Sequence, residues 1–289
     1  MKQIFENAKE PLFGRATARI HLKALDLATL KTIMDDYKPD FTNEDLLAFY
    51  LITGGVAKYV EILANVNAFT VEQIVNEVFS ENSLFLVEGK NVLIDEFGKD
   101  YGNYFSILSL IANSKTSRSE VESILNMNIG GYLEKLENDY GLITKSRPIF
   151  SKPASKNVKY KLNDNFLNFC FQVIYKYRGA VETESFDFFK EIFNCDYKVF
   201  SGLVLERYFK EKISKEMILS QIGSYWKTGN SNEIDIVAIN DFEKSALIAE
   251  IKRNKEKIDL NILKEKSKNL IKNLNGFDIT YKGFSLENM

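Results

Sequence analysis

The sequence predicts a mixed α and α/β chain in three units: a helical segment over 1–100, a second helical unit ending in a hairpin over 101–182, and a small α/β unit over 183–289. Three observations predict it. Apolar residues recur at helical spacing through the first hundred residues, with no run that reads as a parallel strand. Three amphipathic segments followed by two extended pieces fill the middle. Two apolar strand-like runs, a Lys/Glu-rich helical stretch and a last extended run close the chain, which is the order of a small α/β unit.

Leu22, Leu25, Leu27 and Leu30 open the first periodic stretch. In "FTNEDLLAFYLITGGVAKYVEILANV", Thr42 and Asn43 are N-cap candidates, and Leu46, Leu47, Tyr50 and Leu51 share one helical face. Gly54-Gly55 breaks that helix, Val56, Tyr59, Val60 and Leu63 mark the next, and Thr70 caps another over about 70–80. Alone, this segment reads as a helical lid with no partner. "NYFSILSLIANS", "SRSEVESILN" capped by Ser117, and "NIGGYLEKLENDYGLI" are the middle helices, followed by extended "LITKSRPIF" and "VKYKL". Three helices and then a β-hairpin is the order of a winged helix-turn-helix. The aromatic "DNFLNFCFQVIYKYR" packs as core. A helical stretch over 184–217 carries Phe186, Phe188, Phe189, Ile192 and Phe193; "EIDIVAIN" (233–240) and "SALIAEIK" (245–252) are strands, about 255–273 is a helix, and "GFDITYKGFS" is a final strand.

Composition excludes several function classes. With 38 Lys+Arg against 40 Asp+Glu the net charge is −2, so any nucleic-acid contact must come from a local patch. One histidine, His21, and two cysteines, Cys170 and Cys195, leave too few ligands for a structural zinc site and argue against a histidine-based hydrolase. The paired counts fit a reducing compartment. No apolar run approaches the roughly 18 residues of a membrane span, and the start has no apolar signal region, so a cytoplasmic protein with no membrane partner is expected. Gly89-Lys90 and Gly98-Lys99 both fail G-x-x-x-x-G-K-[ST], so no nucleotide cofactor is expected for this chain alone.

The chemistry concentrates in "NEIDIVAINDFEKSALIAEIKRNK". Residues i and i+2 of a strand share a face, so Glu233 points with Asp235, and Glu250 with Lys252. A short turn around 240–244 folds the two strands into an antiparallel hairpin, bringing Asp235 toward Glu250 and Lys252. Two carboxylates and a lysine on one sheet face suit metal-assisted phosphodiester hydrolysis. Asp235 and Glu250 would hold Mg²⁺ through oxygen, the metal would stabilise charge on phosphate, and Lys252 would orient or activate the water. An edge strand that merely alternates polar with apolar residues gives the same E-x-K.

The pattern D-x(14)-E-x-K resembles the PD-(D/E)XK nuclease superfamily. That resemblance implies a further acid from the preceding helix, a place taken by Glu206 in "SGLVLERYFKE". Together, "PLFGRATARIHLKAL", "LLAFYLITGGVAKYVEIL", "NYFSILSLIAN", "YKLNDNFLNFCFQVIYKYR" and "YWKTGNSNEIDIVAIN…IAEIK" look like the C-terminal part of archaeal-type P-loop ATPases. Those carry a C-terminal domain of unknown function related to the same nucleases. The resemblance implies an ATPase-lid-like segment, a winged helix, a PD-(D/E)XK nuclease-like domain and an ATPase partner protein. Three features depart from it: the Walker motifs are missing, Ala57 follows "GGV" where proline is usual, and extra residues lie between Gly229 and Glu233.

Residues 141–161 carry Lys145, Arg147, Lys152, Lys156, Lys159 and Lys161 with no Asp or Glu, which is +6 on the expected wing. Such cations meet phosphates and give salt-dependent binding without sequence reading. The expected recognition helix sets Lys135 against Glu134, Glu137 and Asp139, with Asn126 and Asn128 near its start, a poor surface for base readout. Tyr225 and Trp226 could stack on bases, with core packing as the plainer role. The expected function is a DNA-associated protein with a metal-dependent nuclease-like domain. The alternatives are a non-catalytic DNA-binding or regulatory module acting with a separately encoded ATPase half, and a truncated ATPase remnant.

Overall fold

Capping chemistry sets the first helices of the computed structural model, which describes residues 22–227 and 231–289 together with 11, 13, 15 and 229. His21 lies outside the described residues. Helix α1 (Leu27–Tyr37) starts at Asp26, whose carboxylate accepts from the Thr29 N–H. Helices α2 (Asn43–Thr53) and α4 (Val71–Val78) start in capping boxes, Thr42 with Asp45 and Thr70 with Gln73. Each box satisfies N–H groups that have no partner inside the helix. Gly54 and Gly55, at φ 55° and 76°, turn the chain between α2 and α3 (Ala57–Asn65). At Gly55 a Cβ would fall 2.2 Å from the Leu25 carbonyl oxygen, so no other residue fits this turn.

Helix α2 is buried over nearly its whole length, from Asp45 to Thr53. The helical segment is therefore not a partnerless lid. Later parts of the chain cover it: α9 (Asn165–Phe169), which continues as a π-helical turn over Cys170–Ile174, and the long α11 (Phe186–Glu216). One core runs from Leu27 through Phe166 and Phe209 to Ile251, uniting the first segment with the last. Phe79 stacks on Phe189 at 5.1 Å within it. Arg253 ties the same parts together: its Nη2 lies 2.6 Å from both Glu44 carboxylate oxygens, its Nη1 donates to the Ser201 hydroxyl, and the guanidinium makes a face-on contact with Tyr197.

Helices α5 (Leu84–Phe97), α6 (Tyr101–Ala112), α7 (Arg118–Leu125) and α8 (Gly130–Asn138) lead into strands β1 (Ile143–Ser146) and β2 (Lys159–Leu162). The strands pair antiparallel, with Thr144 opposite Lys161 and Ser146 opposite Lys159. Leu93, Leu108, Val121, Leu133, Ile143 and Leu162 give this unit its own core. Helix α5 begins in the first core at Phe85 and ends in the second at Phe97, so the boundary falls inside a helix.

After α10 (Arg178–Glu182) and α11 comes a small mixed sheet in the order β3–β4–β5–β6: β3 (Gln221–Tyr225), β4 (Ile234–Asn240), β5 (Ser245–Ile251) and β6 (Asp278–Phe284). The first three strands are antiparallel and β6 lies parallel to β5. Ile236, Ala238, Leu247 and Ala249 face α11, while Val237, Ile239, Ala246 and Ile248 meet Leu263, Leu270 and Leu274. Burial on both faces explains why β4 and β5 read as nearly continuous apolar runs.

Two sequence expectations change. Strand β3 has no counterpart in the sequence reading, because Gly223 and half-buried neighbours hide its alternation. The helix expected over about 255–273 is three pieces: turns at Lys255–Lys257 and Ile271–Asn273 flank α12 (Leu260–Ser267). Asp259 is the reason, since its carboxylate accepts from the Asn261 and Ile262 N–H groups and starts a new helix there. No helix among the described residues is long and apolar enough to cross a membrane.

Candidate active-site cleft

Ile236 faces Ala249 and Val237 faces Ile248. The next step of this ladder toward its open end places Asp235 beside Glu250, on the face that carries Val237 and Ile248. The Asp235 carboxylate accepts the Ile251 N–H at 2.7 Å, which fixes its orientation. Glu250 is buried, and one of its oxygens accepts from Lys252 at 3.1 Å and from Lys266 of α12 at 3.0 Å. Glu206 comes in from α11. All five line a cleft of about 690 Å³. The structure thus brings the four predicted catalytic residues into one place.

Their electrostatics differ. Burial pushes the Glu206 carboxyl up to about 7, and the nearby Asp235 adds to that against the pull of Lys161 and Lys252. Burial also raises Asp235, against the Ile251 N–H and Lys252. For Glu250 burial is likewise the largest influence, but the hydrogen bonds from Lys266 and Lys252 together outweigh it, so this carboxyl is held below its usual range. Lys252 is raised: burial alone would lower it, and Asp235 and Glu250 prevail. Carboxyls with diverging pKa values in one cleft suit a division between proton exchange and fixed charge.

The opposite wall is the β1–β2 hairpin, through Thr144, Ser146, Lys159 and Lys161. Lys159 is buried, binds Glu233 at 2.8 Å and lies 4.7 Å over the Trp226 ring. Trp226 is core: it is fully buried and its Nε1 donates to Asn157 at 3.0 Å. The loop between the strands is fixed to the sheet by the Ile149 N–H, which donates to the Ser224 carbonyl at 2.9 Å. Arg207 of α11 holds the other end of the hairpin through the Leu162 and Asn163 carbonyls.

The six cations of the expected wing therefore do not share one outward surface. Lys159 and Lys161 face the cleft, Lys145 and Arg147 are half-buried, and Lys152 and Lys156 are exposed in the loop. Asn128 accepts from the Gly130 N–H and from Arg118. Sequence reasoning did not place Lys210 in the site. Lys159 and Lys161 stand two apart in a strand, a signal that they share a face, but nothing local says which face is inward.

Among the described residues no three His, Cys, Asp or Glu side chains group to hold a metal ion. Two hard donors are available: Asp235 and Glu250 each keep one carboxylate oxygen outside the hydrogen bonds described above. Mg²⁺ is commonly held by one or two carboxylates, with waters and substrate phosphates completing its shell. The donor set fits that mode and not an all-protein cage.

Residues 170–271 match the family DUF234, archaeal and bacterial proteins of unknown function. An uncharacterized protein of Methanocaldococcus jannaschii is 29% identical over 253 residues, 84% of this chain and 55% of that protein. The chain thus spans about half the length of this relative. A segment of the CRISPR-associated endoribonuclease Cas13a of Leptotrichia shahii is 26% identical over 164 residues, 54% of this chain and 11% of that protein. No solved structure matches.

Proposed function

We propose that the protein is DNA-associated and that the cleft hydrolyses phosphodiester bonds with Mg²⁺ held by Asp235 and Glu250. The observation that carries this reading is the convergence of Glu206, Asp235, Glu250 and Lys252 in one partly enclosed cleft whose other wall is cationic. Bound Mg²⁺ would supply stabilisation of the charge that develops on phosphate. Lys252, its pKa raised, stays protonated; it neutralises a phosphate oxygen and is poorly suited to act as a base. Glu206, near 7, is the group in the cleft able to take a proton from the attacking water at neutral pH. As the water oxygen bonds to phosphorus the ester P–O bond breaks, and the leaving oxygen takes a proton from solvent.

The PD-(D/E)XK assignment of the C-terminal unit, the winged-helix assignment of residues 101–182 and the relation to archaeal ATPases belong to the same proposal. A larger partner or neighbouring ATPase module agrees with the length of the methanogen relative, of which the match covers only 55%. A second reading, binding without hydrolysis, draws on the Glu250 oxygen, which is already neutralised by two lysines. The test is cleavage of linear, single-stranded and branched DNA, and of RNA, in Mg²⁺, Mn²⁺ or EDTA. Metal-dependent cutting that disappears in Asp235→Asn and Lys252→Ala supports hydrolysis. Salt-sensitive binding without cutting supports the second reading.

A further inference from the structure

Lys161 on β2 and Lys210 on α11 face the same cleft from opposite walls, and neither ammonium has a salt bridge or hydrogen bond among the described residues. Burial, and then the charge of Lys161, lower the Lys210 ammonium. Two cations with no direct ion pair or hydrogen bond, of which only Lys161 has the Glu206 carboxyl near it, in a cleft whose other cations are engaged, suit an anion. Lys159 pairs with Glu233, Lys252 and Lys266 pair with Glu250, and Arg207 holds the end of β2.

The shape of the cleft restricts what that anion is. The hairpin wall is fixed at both ends: by the Ile149–Ser224 backbone bond and the Lys159–Glu233 pair on one side, and by Arg207 on the Leu162 and Asn163 carbonyls on the other. Between these ties lies about 690 Å³, within the ~300–1,000 Å³ usual for a small-ligand pocket. A duplex, whose major groove alone is about 12 Å wide, does not enter such a space while the hairpin stays docked. One strand does. The approach along α11 also suits a single strand. Val199, Leu203, Glu206 and Lys210 recur at helical spacing on one face, and Val199 and Leu203 are 78% and 41% exposed. Apolar side chains followed by a cation offer contact first to unpaired bases and then to phosphate, and bases are available for such contact only in an unpaired strand.

We infer that the cleft takes a single nucleic-acid strand, with Lys161 and Lys210 gripping its phosphates and the docked hairpin excluding duplex. This rests on the phosphodiester reading of the site, but its test reads binding alone. Anisotropy of a fluorescein-labelled oligonucleotide as single-stranded DNA, as single-stranded RNA of the same sequence, and as blunt duplex DNA would be followed in EDTA, where no hydrolysis occurs. The expected result is affinity for a single strand at least tenfold above duplex. Lys161→Ala and Lys210→Ala should each weaken single-strand binding several-fold and flatten the salt dependence by about 0.7 in the log–log slope per phosphate contact. Lys31→Ala, exposed on α1 and outside the cleft, should leave it unchanged, and thermal melts of each variant check that the fold is intact. The two single-stranded arms tell DNA from RNA. Equal affinity for duplex, or single-strand affinity indifferent to both cleft lysines, overturns the inference. Strand-selective binding with no cutting in Mg²⁺ sinks hydrolysis and leaves the inference standing; rapid cutting inside blunt duplex does the reverse.

Discussion

Lys159 in the hairpin and Glu233 at the mouth of the C-terminal sheet, 74 positions apart, meet at 2.8 Å. This contact makes a two-sided cleft out of a carboxylate cluster on one unit and a basic hairpin on another. Lys159 is buried while Glu233 is about half-exposed, and the ammonium also sits over Trp226. A double-mutant cycle with Lys159→Met and Glu233→Gln should give a coupling on the order of 1 kcal/mol. Additive effects in chemical denaturation would show that the two units are not joined there.

Glu206 gives the cleft a pH signature. A carboxyl whose folded pKa is raised binds its proton more tightly folded than unfolded. Its contribution is therefore present at low pH and is lost as pH rises from the ordinary 4.5 toward about 7. Glu206→Gln should match the wild type near pH 4.5 and exceed it above pH 7.5 by about 1–3 kcal/mol. Denaturation midpoints at both pH values check this, and a variant equally affected at both would contradict it.

Divalent cation should relieve the same crowding of carboxylates. At about 100 times its Kd, Mg²⁺ or Mn²⁺ should stabilise the protein by about 2.7 kcal/mol. The gain should vanish in Asp235→Asn, whose side chain keeps the shape and an acceptor for the Ile251 N–H. A gain that persists in this variant places the cation elsewhere.

Arg253 follows directly on the E-x-K strand and serves the fold, not the cleft. It holds Glu44 of α2 with two contacts and reaches Ser201 of α11. Arg253→Ala leaves a part-buried carboxylate without its partner and should cost about 2–4 kcal/mol. Arg253→Lys should recover only part of this, because a single ammonium nitrogen cannot serve Glu44 and Ser201 with the two separate planar donors of the guanidinium. Urea midpoints with matched slopes test both.

Much of this was legible in the sequence where the signal is local. Thr42, Thr70 and Ser117 mark helix starts by capping chemistry, and the alternation around Asp235, Glu250 and Lys252 places three side chains on one sheet face. Glu206 was reached by resemblance to a nuclease pattern; helix spacing alone does not distinguish it from other surface acids on α11. What escaped depends on contacts between distant segments. The inward turn of Lys159 and Lys161 follows from Ile149 docking on β3, and β3 itself is concealed by Gly223. Lys210 looks like an ordinary solvated lysine until α11 is packed against the sheet. The break at Asp259 was readable as an N-cap, a local signal that the sequence analysis does not use.

The most direct measurement of the central claim is a single-turnover cleavage rate on an end-labelled single strand, with protein in excess so that differences in binding drop out. In Mg²⁺ the wild type should cut and Asp235→Asn should lose at least about a thousandfold, in line with removal of a principal catalytic group. Lys161→Ala, which also removes a charge that holds Glu206 down, should cut when saturated with its pH profile moved upward. Equal rates for wild type and Asp235→Asn, or cutting that continues in EDTA, would contradict a phosphodiesterase centred on Asp235, Glu250 and Lys252.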